Sequence, residues 1–357
     1  MDLWHFVTGS IALCGLVQLS PSLPPLITPA AGAPAARAVV VSPAAPARDP
    51  VVFVVVDGVR WQELFRGADP ELAAGTTAPR LGPEALTPRL HAIIGERGAA
   101  LGAPGRGSIA ASGPRFVSLP SYREIFSGQA SLDCLDNGCA PIERTTLVDE
   151  LRDRGGHASV FASWPTIARA VARRTDGVFV STGLSPSEGQ VDSFPGEPGF
   201  RPDRLTARAA LDHLEHAQPD FLFLGLGEPD EYAHRGDYAG YVASIQAADG
   251  TIGELEATLA RMGPRGQRTH VFVTTDHGRA RTFRDHGGGY PESAAVWLVA
   301  WGPSFRARGS LVTEQRHHLA DLTPTARVVL GLPSVSPGTS TGTVLVELFG
   351  NVDVTRM

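Results

Sequence analysis

Three apolar runs, each the length of one buried strand, are followed closely by aspartate or histidine residues, and this recurrence constrains the fold most strongly. The runs are Val51–Val56, Phe221–Leu226 and 270–275. Continuous apolar runs are typical of parallel strands that are buried on both faces of a sheet. Because ligands of open α/β sheets bind at the carboxyl ends of the strands, the residues after these runs are candidates for one shared site.

Further strand-like and helical segments alternate along the chain and define the fold class. Strands are predicted at 51–56, 157–161, 177–180, 221–226, 270–275 and 294–300, and helices at 88–97, 146–154, 203–216, 238–262 and 324–330. Strands that alternate with helices form a mainly parallel sheet with helices on both faces. We therefore predict an α/β protein of three α/β/α layers around a central, mainly parallel sheet.

The N-terminal region predicts an exported protein. We expect a signal peptide or leader over residues 1–20, a Pro/Ala-rich linker over 21–49 and a single globular domain over 50–352. The leader lacks the usual basic residues, so an uncleaved anchor or a start codon placed too early is the alternative. No other transmembrane segment is expected, and the predicted location is periplasmic or secreted.

Charge and cysteine content narrow the function classes. A formal net charge of -6 argues against a nucleic-acid-binding module that works by bulk electrostatics. Cys134 and Cys139 are five residues apart, and this spacing predicts a small disulfide loop. Such a disulfide would form in an oxidising compartment. A metal-binding cysteine pair is the alternative, but it needs further ligands nearby. The oligomeric state is left open.

The residues after the three runs have the chemistry of metal ligands. Asp57 precedes Gly58, Asp230 stands four residues before His234, and Asp276 is followed by His277. The triplet Asp-His-Gly then recurs and contributes His286. Carboxylates and imidazoles are favoured ligands of zinc. Each cluster alone could be a turn, a helix cap or a surface histidine, whereas their joint occurrence at strand ends favours one site.

Ser118 is a candidate nucleophile. It ends a short apolar stretch and precedes Pro120, which suits the first turn of a helix that continues through Tyr122 and Phe126. Backbone N–H groups at a helix start favour an anionic phosphoryl group. A hydroxyl needs a base or a cation to become a nucleophile. The alternative is that Ser118 or Ser121 only caps the helix.

Taken together, these motifs resemble the alkaline phosphatase superfamily, and most closely its type I phosphodiesterase/nucleotide pyrophosphatase and sulfatase-like branches. The resemblance covers residues 51 to 350 and implies an alkaline-phosphatase-like fold with two divalent metal ions. Zinc is the usual metal of the family, and manganese is the alternative. It implies two ligand sets, which are Asp57, Ser118, Asp276 and His277 for one ion and Asp230, His234 and His286 for the other. His317 or His318 is the fallback for His286, because the gap from His277 is short.

The resemblance also implies a reaction. We expect hydrolysis of a small-molecule phosphate ester, monoester or diester, through a phosphoseryl intermediate on Ser118, with Arg115, Tyr122 or Arg123 as weak candidates for substrate contact. Sulfatases carry Cys or Ser followed by x-Pro-x-Arg, whereas Tyr122 occupies the arginine position here. This departure favours phosphate over sulfate esters. A sulfatase, a phosphotransferase of the same superfamily and an inactive binding protein are the alternatives.

Overall fold

A computed structural model describes residues 48–184, 194–195, 197–333 and 342–350, and all of them belong to one compact unit. The predicted leader and nearly all of the predicted linker lie outside the described residues. No helix in the described part of the chain has both the length and the apolar character needed to cross a membrane.

Strands and helices alternate through this unit, as the apolar patterns predict. The strands are β1 (Val51–Val56), β2 (Ala99–Leu101), β3 (Ser108–Ala110), β4 (Ala158–Ala162), β5 (Phe179–Thr182), β6 (Phe221–Leu226), β7 (His270–Thr274), β8 (Leu298–Trp301), β9 (Gly309–Ser310) and β10 (Arg316–His318). The helices are α1 (Trp61–Arg66), α2 (Pro70–Ala73), α3 (Pro83–Leu86), α4 (Pro88–Glu96), α5 (Ser118–Ser127), α6 (Leu147–Asp153), α7 (Ala168–Val171), α8 (Asp203–Ala217), α9 (Glu228–His234), α10 (Tyr238–Arg261), α11 (Pro264–Gln267) and α12 (Leu322–Val329).

Eight of these strands form the central sheet, in the order β5-β4-β6-β1-β7-β8-β2-β9. β1 lies between β6 and β7 and pairs in parallel with both, and β4 and β5 continue the parallel arrangement. Only β8 runs antiparallel to its neighbours among the described strands. β3 and β10 form a separate parallel pair. The predicted three-layer, mainly parallel architecture is confirmed.

The alternating side chains of β1 face two separate hydrophobic cores. Val51, Phe53 and Val55 belong to the core that also contains residues of α5, α6 and α12, whereas Val52 and Val54 belong to the core with α4, α8 and α10. All six residues of β1 are buried, because helices cover both faces of the sheet. The sheet is therefore the middle of three layers. Helices cover its two faces and leave the ends of the strands uncovered.

The elements that were predicted differ from the observed ones mainly at their ends, and several short elements were not predicted. β1 and β6 match their predicted bounds, while the strand predicted at 294–300 begins at Leu298 and is preceded by a 3-10 helix over Pro291–Ala294. The short strands β2 and β9 were not predicted. They have three and two residues, too few for an apolar period to be recognised.

The two cysteines of the predicted disulfide lie side by side in the structure. The Cα atoms of Cys134 and Cys139 are 5.6 Å apart, within the usual range for a disulfide. Asn137, inside this loop, accepts a hydrogen bond of 3.0 Å from the backbone N–H of Leu119 in the first turn of α5. The loop therefore contacts the start of the helix that begins with Ser118.

A buried histidine at the start of β7 should make the stability of the fold depend on pH. His270 is completely buried, and burial lowers its pKa to about 4. Since the unfolded chain takes up this proton near pH 6.5, stability is complete above that pH and is lost as the pH falls toward 4. The contribution lost is roughly 3 kcal/mol. Urea unfolding at several pH values between 7.5 and 4.5 measures it.

The His270→Gln variant isolates this contribution from the other titrating groups. Its free energy of unfolding should change less between these pH values than that of the unmodified protein. His157→Gln is the matched control, because His157 is exposed near the start of β4. Equal pH dependence in all three proteins would contradict the prediction.

Candidate metal centre

Three neighbouring strands bring the predicted clusters to one edge of the sheet. Asp57 directly follows β1, Asp230 lies in α9 directly after β6, and Asp276 lies two residues after the end of β7. In the register, Val56 stands opposite Leu226 and Val55 opposite Thr274, so the three strands end at the same level. The parallel order of β6, β1 and β7 is thus the reason that residues more than 200 positions apart are neighbours.

Two buried aspartates each have one oxygen fixed and one oxygen unpaired. Asp57 Oδ2 accepts a hydrogen bond of 2.9 Å from the Tyr122 hydroxyl, and Asp276 Oδ1 accepts one of 3.1 Å from the Gly58 N–H. Asp57 Oδ1 and Asp276 Oδ2 are buried and have no hydrogen-bond partner in the described part of the chain. Unpaired buried carboxylate oxygens are costly unless a cation or donor meets them. Their chemistry therefore fits a metal ion.

The Nε2 atom of His277 faces the unpaired oxygens of Asp57 and Asp276. Its Nδ1 lies 2.9 Å from the carbonyl of Gly278, which requires the hydrogen on Nδ1 and leaves a lone pair on Nε2. Nε2 is 3.5 Å from Asp57 Oδ1 and 3.4 Å from Asp276 Oδ2. The Ser118 hydroxyl oxygen lies 3.3 Å from the same nitrogen. Three acceptor atoms thus converge next to the candidate nucleophile, as ligands of one cation would.

A second set of acceptors lies beside the first. His234 Nε2 is 3.0 Å from Asp230 Oδ2 and 3.1 Å from His286 Nε2. His286 Nδ1 is 3.0 Å from the carbonyl of Phe116, so its Nε2 also presents a lone pair to the group. The rings of His277 and His286 stack with centroids 3.9 Å apart, which joins the two sets. The side chain of His234 is 45% exposed, so the centre opens to solvent on this side.

Burial and mutual charge shift the pKa values of the acidic groups. Burial, with the charges of Asp276 and Asp230, raises the pKa of Asp57 well above its usual value. Burial and the Asp230 charge raise the pKa of Asp276 to about 6. Burial also acts to raise the pKa of Asp230, but the Arg279 guanidinium and nearby histidines outweigh it and hold this pKa well below the usual value. Bound cations would relieve this repulsion.

Two of the three histidines, His277 and His286, are neutral at neutral pH and suited to bind metal. Burial lowers the pKa of His277 to about 4 and that of His286 to about 3. The hydrogen bond with Asp230 raises the pKa of His234. Neutral imidazole is the form that coordinates a metal ion. At neutral pH the two buried rings therefore need no deprotonation before they bind.

Arg279 is a residue of this centre that the sequence reasoning did not identify. Its side chain is fully buried and its guanidinium contacts Asp230 Oδ1. It also donates to the backbone carbonyl of Arg284 at 2.7 Å and lies 3.4 Å from His234 Nδ1. From sequence alone, an arginine beside an Asp-His-Gly triplet would be predicted to lie on the surface. Only the tertiary structure brings it to an aspartate 49 positions earlier.

The short helix α9, which carries Asp230 and His234, is held at its start by a buried aspartate of α8. The Asp203 carboxylate accepts hydrogen bonds from the N–H groups of Gly227 at 2.9 Å and Glu228 at 3.0 Å. The Glu228 carboxylate in turn accepts one from the Asp203 N–H at 3.0 Å. These bonds satisfy free donors at the helix start. They fix the orientation of the second ligand set.

Gly58 allows the two ligand sets to approach each other. Its φ is +65°, and a Cβ atom there would lie 2.4 Å from Asp230 Oδ1 and 2.7 Å from the Arg279 guanidinium. We expect Gly58→Ala to lower bound metal and activity together, because the collision displaces Asp230 and strains the backbone. Elemental analysis and an activity assay on the folded variant test this. Gly75→Ala is the control, since Gly75 also has a positive φ but a Cβ there meets no atom within 4 Å.

The other predicted site residues lie in different surroundings. Tyr122 is fully buried and its hydroxyl binds Asp57, which supports a positioning role and not the predicted substrate contact. Arg123 pairs with Asp133 and donates to the carbonyl of Ala140, so its contacts do not support a substrate role. Arg115 is exposed near Gly288, two residues beyond His286.

The two fallback histidines do not enter the centre. His317 is buried between Asp321, 3.3 Å from its Nδ1, and Glu347, 3.5 Å from its Nε2. His318 is exposed. Since His286 lies beside Asp230 and His234, the fallback is not needed to complete the second set.

Comparison with known proteins agrees with this geometry. A family model described as Metalloenzyme superfamily matches residues 190–334. This segment contains Asp230, His234, Asp276, His277 and His286, whereas Asp57 and Ser118 lie upstream of it.

Solved structures share the fold. The phosphonate monoester hydrolase SpPMH from Silicibacter pomeroyi aligns with a TM-score of 0.59 and 16% identity, over 84% of this chain and 76% of the hydrolase. BT1596, a 2-O GAG sulfatase, aligns with a TM-score of 0.57 and 15% identity, over 85% of this chain and 74% of the sulfatase. These matches show that the chain has an alkaline-phosphatase-like fold.

Sequence relatives extend the comparison to another reaction. The 2,3-bisphosphoglycerate-independent phosphoglycerate mutase of Natronomonas pharaonis is 32% identical over 164 residues, which are 44% of this chain and 30% of the mutase. The mutase of Haloarcula marismortui is 28% identical over 143 residues, or 40% of this chain and 26% of that protein. The chain thus matches less than a third of the length of these mutases. Together these matches confirm the predicted resemblance to the alkaline phosphatase superfamily.

Proposed function

We propose that this protein is a metal-dependent hydrolase of small-molecule phosphate esters, with Ser118 as the nucleophile. The observation that carries the proposal is the convergence of Asp57 Oδ1, Asp276 Oδ2 and His277 Nε2 on one point beside the Ser118 hydroxyl. Among the residues that the structure describes, no hydrogen-bond donor meets the two oxygens. Acceptors that face one another without a donor are suited to a cation.

The proposed ligand sets keep the predicted division. Asp57, Ser118, Asp276 and His277 would hold one divalent cation, and Asp230, His234 and His286 the other. Zinc suits this mixture of imidazole and carboxylate ligands, with manganese as the alternative. When bound, such a pair lowers the pKa of a coordinated hydroxyl or water and neutralises charge on the phosphoryl group.

The chain's own residues account for the group transfer. The Ser118 hydroxyl releases its proton to solvent and its oxygen bonds to phosphorus, while the bond from phosphorus to the ester oxygen breaks and that oxygen takes up a proton from water to leave as the alcohol. Water then cleaves the phosphoserine bond, which releases phosphate and restores the Ser118 hydroxyl. Tyr122 keeps Asp57 oriented through its hydrogen bond of 2.9 Å. The exposed guanidinium of Arg115 is the remaining candidate for binding a substrate oxygen.

A substrate panel tests the proposal. Purified protein reconstituted with Zn²⁺ or Mn²⁺ should release nitrophenol from nitrophenyl phosphate monoester or diester faster than from nitrophenyl sulfate. Intact mass should show Ser118 unmodified. Preference for sulfate, together with an altered mass at Ser118, would favour the sulfatase alternative. If the protein binds metal but turns over none of these esters, the hydrolase proposal is contradicted.

The relatives named phosphoglycerate mutases favour phosphotransfer as the second candidate function. A phosphoseryl group can pass to an alcohol as well as to water, because both attack phosphorus through oxygen. Reactions in the presence of glycerol or glycerate, followed by ³¹P NMR, separate the two outcomes. A phosphorylated acceptor as the main product would support the transferase, and free phosphate would support the hydrolase.

We also propose export to the periplasm or the extracellular space and a disulfide between Cys134 and Cys139. The apolar segment near the N-terminus and the separation of 5.6 Å between the two Cα atoms support both. Fractionation of the native host and mass spectrometry with and without a reductant test them. A cytoplasmic, fully reduced protein would contradict this part of the proposal.

A further inference from the structure

The guanidinium of Arg279 contacts two members of the second ligand set at once. It binds Asp230 Oδ1 and lies 3.4 Å from His234 Nδ1. In the first set, Asp57 and Asp276 accept hydrogen bonds from the Tyr122 hydroxyl and the Gly58 N–H, and one oxygen of each has no partner within the described residues. The two proposed cation sites therefore differ in charge and in the freedom of their ligands.

The contact with His234 fixes which ring nitrogen carries the hydrogen. Because a guanidinium only donates, His234 Nδ1 must accept, and the hydrogen of the neutral ring must then be on Nε2. That hydrogen lies next to two acceptors, His286 Nε2 at 3.1 Å and Asp230 Oδ2 at 3.0 Å. A cation can bind His234 Nε2 only after this hydrogen has moved to Nδ1, and an Nδ1–H cannot accept from Arg279. Metal binding at His234 and the Arg279 contact therefore exclude each other.

Arg279 cannot simply move away from the ligands. Its side chain is fully buried, and it donates to the backbone carbonyls of Phe283 and Arg284. These bonds hold it in the loop between His277 and His286. Its positive charge therefore stays beside Asp230 whether or not a second cation arrives, and like charges repel more strongly when they are buried.

We propose that Arg279 makes the second ligand set the weaker one, so that the two cations bind in order and the ion at Asp230, His234 and His286 exchanges readily. The inference rests on the proposed two-cation site and assigns Arg279 a positioning role. It predicts that the resting protein holds one tightly bound cation at Asp57, Asp276 and His277. The second cation then enters on the side where His234 is exposed.

Calorimetric titration of the metal-free protein with Zn²⁺ tests the order of binding. The unmodified protein should show two steps, with the second dissociation constant at least about tenfold larger, the scale on which residues around metal ligands change affinity. Arg279→Gln should tighten the second step by about tenfold and leave the first unchanged. Arg281→Gln is the matched control, because its side chain is 89% exposed two residues away.

A second measurement uses the unmodified protein, in case Arg279→Gln does not fold. Nitrogen-15 NMR of the histidine rings reports which nitrogen carries the hydrogen, and the missing signals of His234→Gln identify His234. In protein with one cation, His234 should carry its hydrogen on Nε2. The second equivalent of Zn²⁺ should move it to Nδ1.

Several results would overturn the inference. Two equal binding steps in the unmodified protein, a second step unchanged in folded Arg279→Gln, or a hydrogen on His234 Nδ1 before the second cation binds would each do so. If one of these results occurs while phosphate esters are still hydrolysed, the inference about Arg279 is wrong and the proposed function stands. If no cation binds, the proposed two-cation function falls with it.

Discussion

Replacing Ser118 with alanine should abolish turnover of phosphate esters while the protein keeps its metal and its fold. The hydroxyl oxygen lies 3.3 Å from His277 Nε2, beside the unpaired oxygens of the first ligand set. Loss of an attacking nucleophile lowers kcat by at least roughly 10³-fold in enzymes where it has been measured. Bound metal, measured by elemental analysis, should fall much less, since the aspartates and His277 remain.

Ser121→Ala serves as the control for this variant. Ser121 is also buried and lies about one turn further along α5, so both substitutions remove a hydroxyl from the same helix. Activity should survive in the control. Trapping of a phosphorylated peptide containing Ser118, lost in Ser118→Ala, would identify the intermediate directly. Full activity in Ser118→Ala would remove Ser118 from the mechanism.

Asp276→Asn should cost the protein its metal without weakening the metal-free fold. Asparagine can still accept the hydrogen bond that the Gly58 N–H gives to Asp276 Oδ1, but it lacks the negative charge of a ligand. We expect cation binding at the first set to weaken by at least about 100-fold, which exceeds typical effects of residues that only support a ligand. Activity should be lost with it.

The free energy of unfolding of the metal-free Asp276→Asn protein gives a second, more specific test. Three buried aspartates lie close together, so removing one negative charge should leave the free energy of unfolding unchanged or raise it. Asp285→Asn is the matched control, since Asp285 starts the second Asp-His-Gly triplet but is exposed. Unchanged metal content in Asp276→Asn would contradict the ligand assignment, and an unfolded variant would contradict the charge argument.

The sequence was sufficient to predict the central sheet and the place of the site. Continuous apolar runs mark β1, β6 and β7, and parallel strands align their carboxyl ends, so the position of Asp57, Asp230 and Asp276 follows from pattern alone. The short strands β2 and β9, at one side of the sheet, could not be predicted. Their pairing depends on neighbours that reach them only in the folded protein.

The chemical environment of the ligands was less predictable than their identity. Tyr122 stands at the position of the arginine in the sulfatase pattern, and only the fold shows that its hydroxyl binds Asp57. Arg279 follows a recognisable motif and shows no apolar period of its own, so its burial against Asp230 is a tertiary effect. Hydrogen bonds between distant segments have no signature in local sequence.

The position of β1 between β6 and β7 has a consequence for synthesis of the protein. Val51 pairs with Phe221 on one side and His270 on the other, so this strand must wait for most of the domain to leave the ribosome. Until then a run of five valines and one phenylalanine has both edges free, and such segments readily form intermolecular β-structure. Nascent chains of this protein should therefore depend on chaperones that shield early strands, and yields of recombinant protein should improve when translation is slowed or such chaperones are supplied.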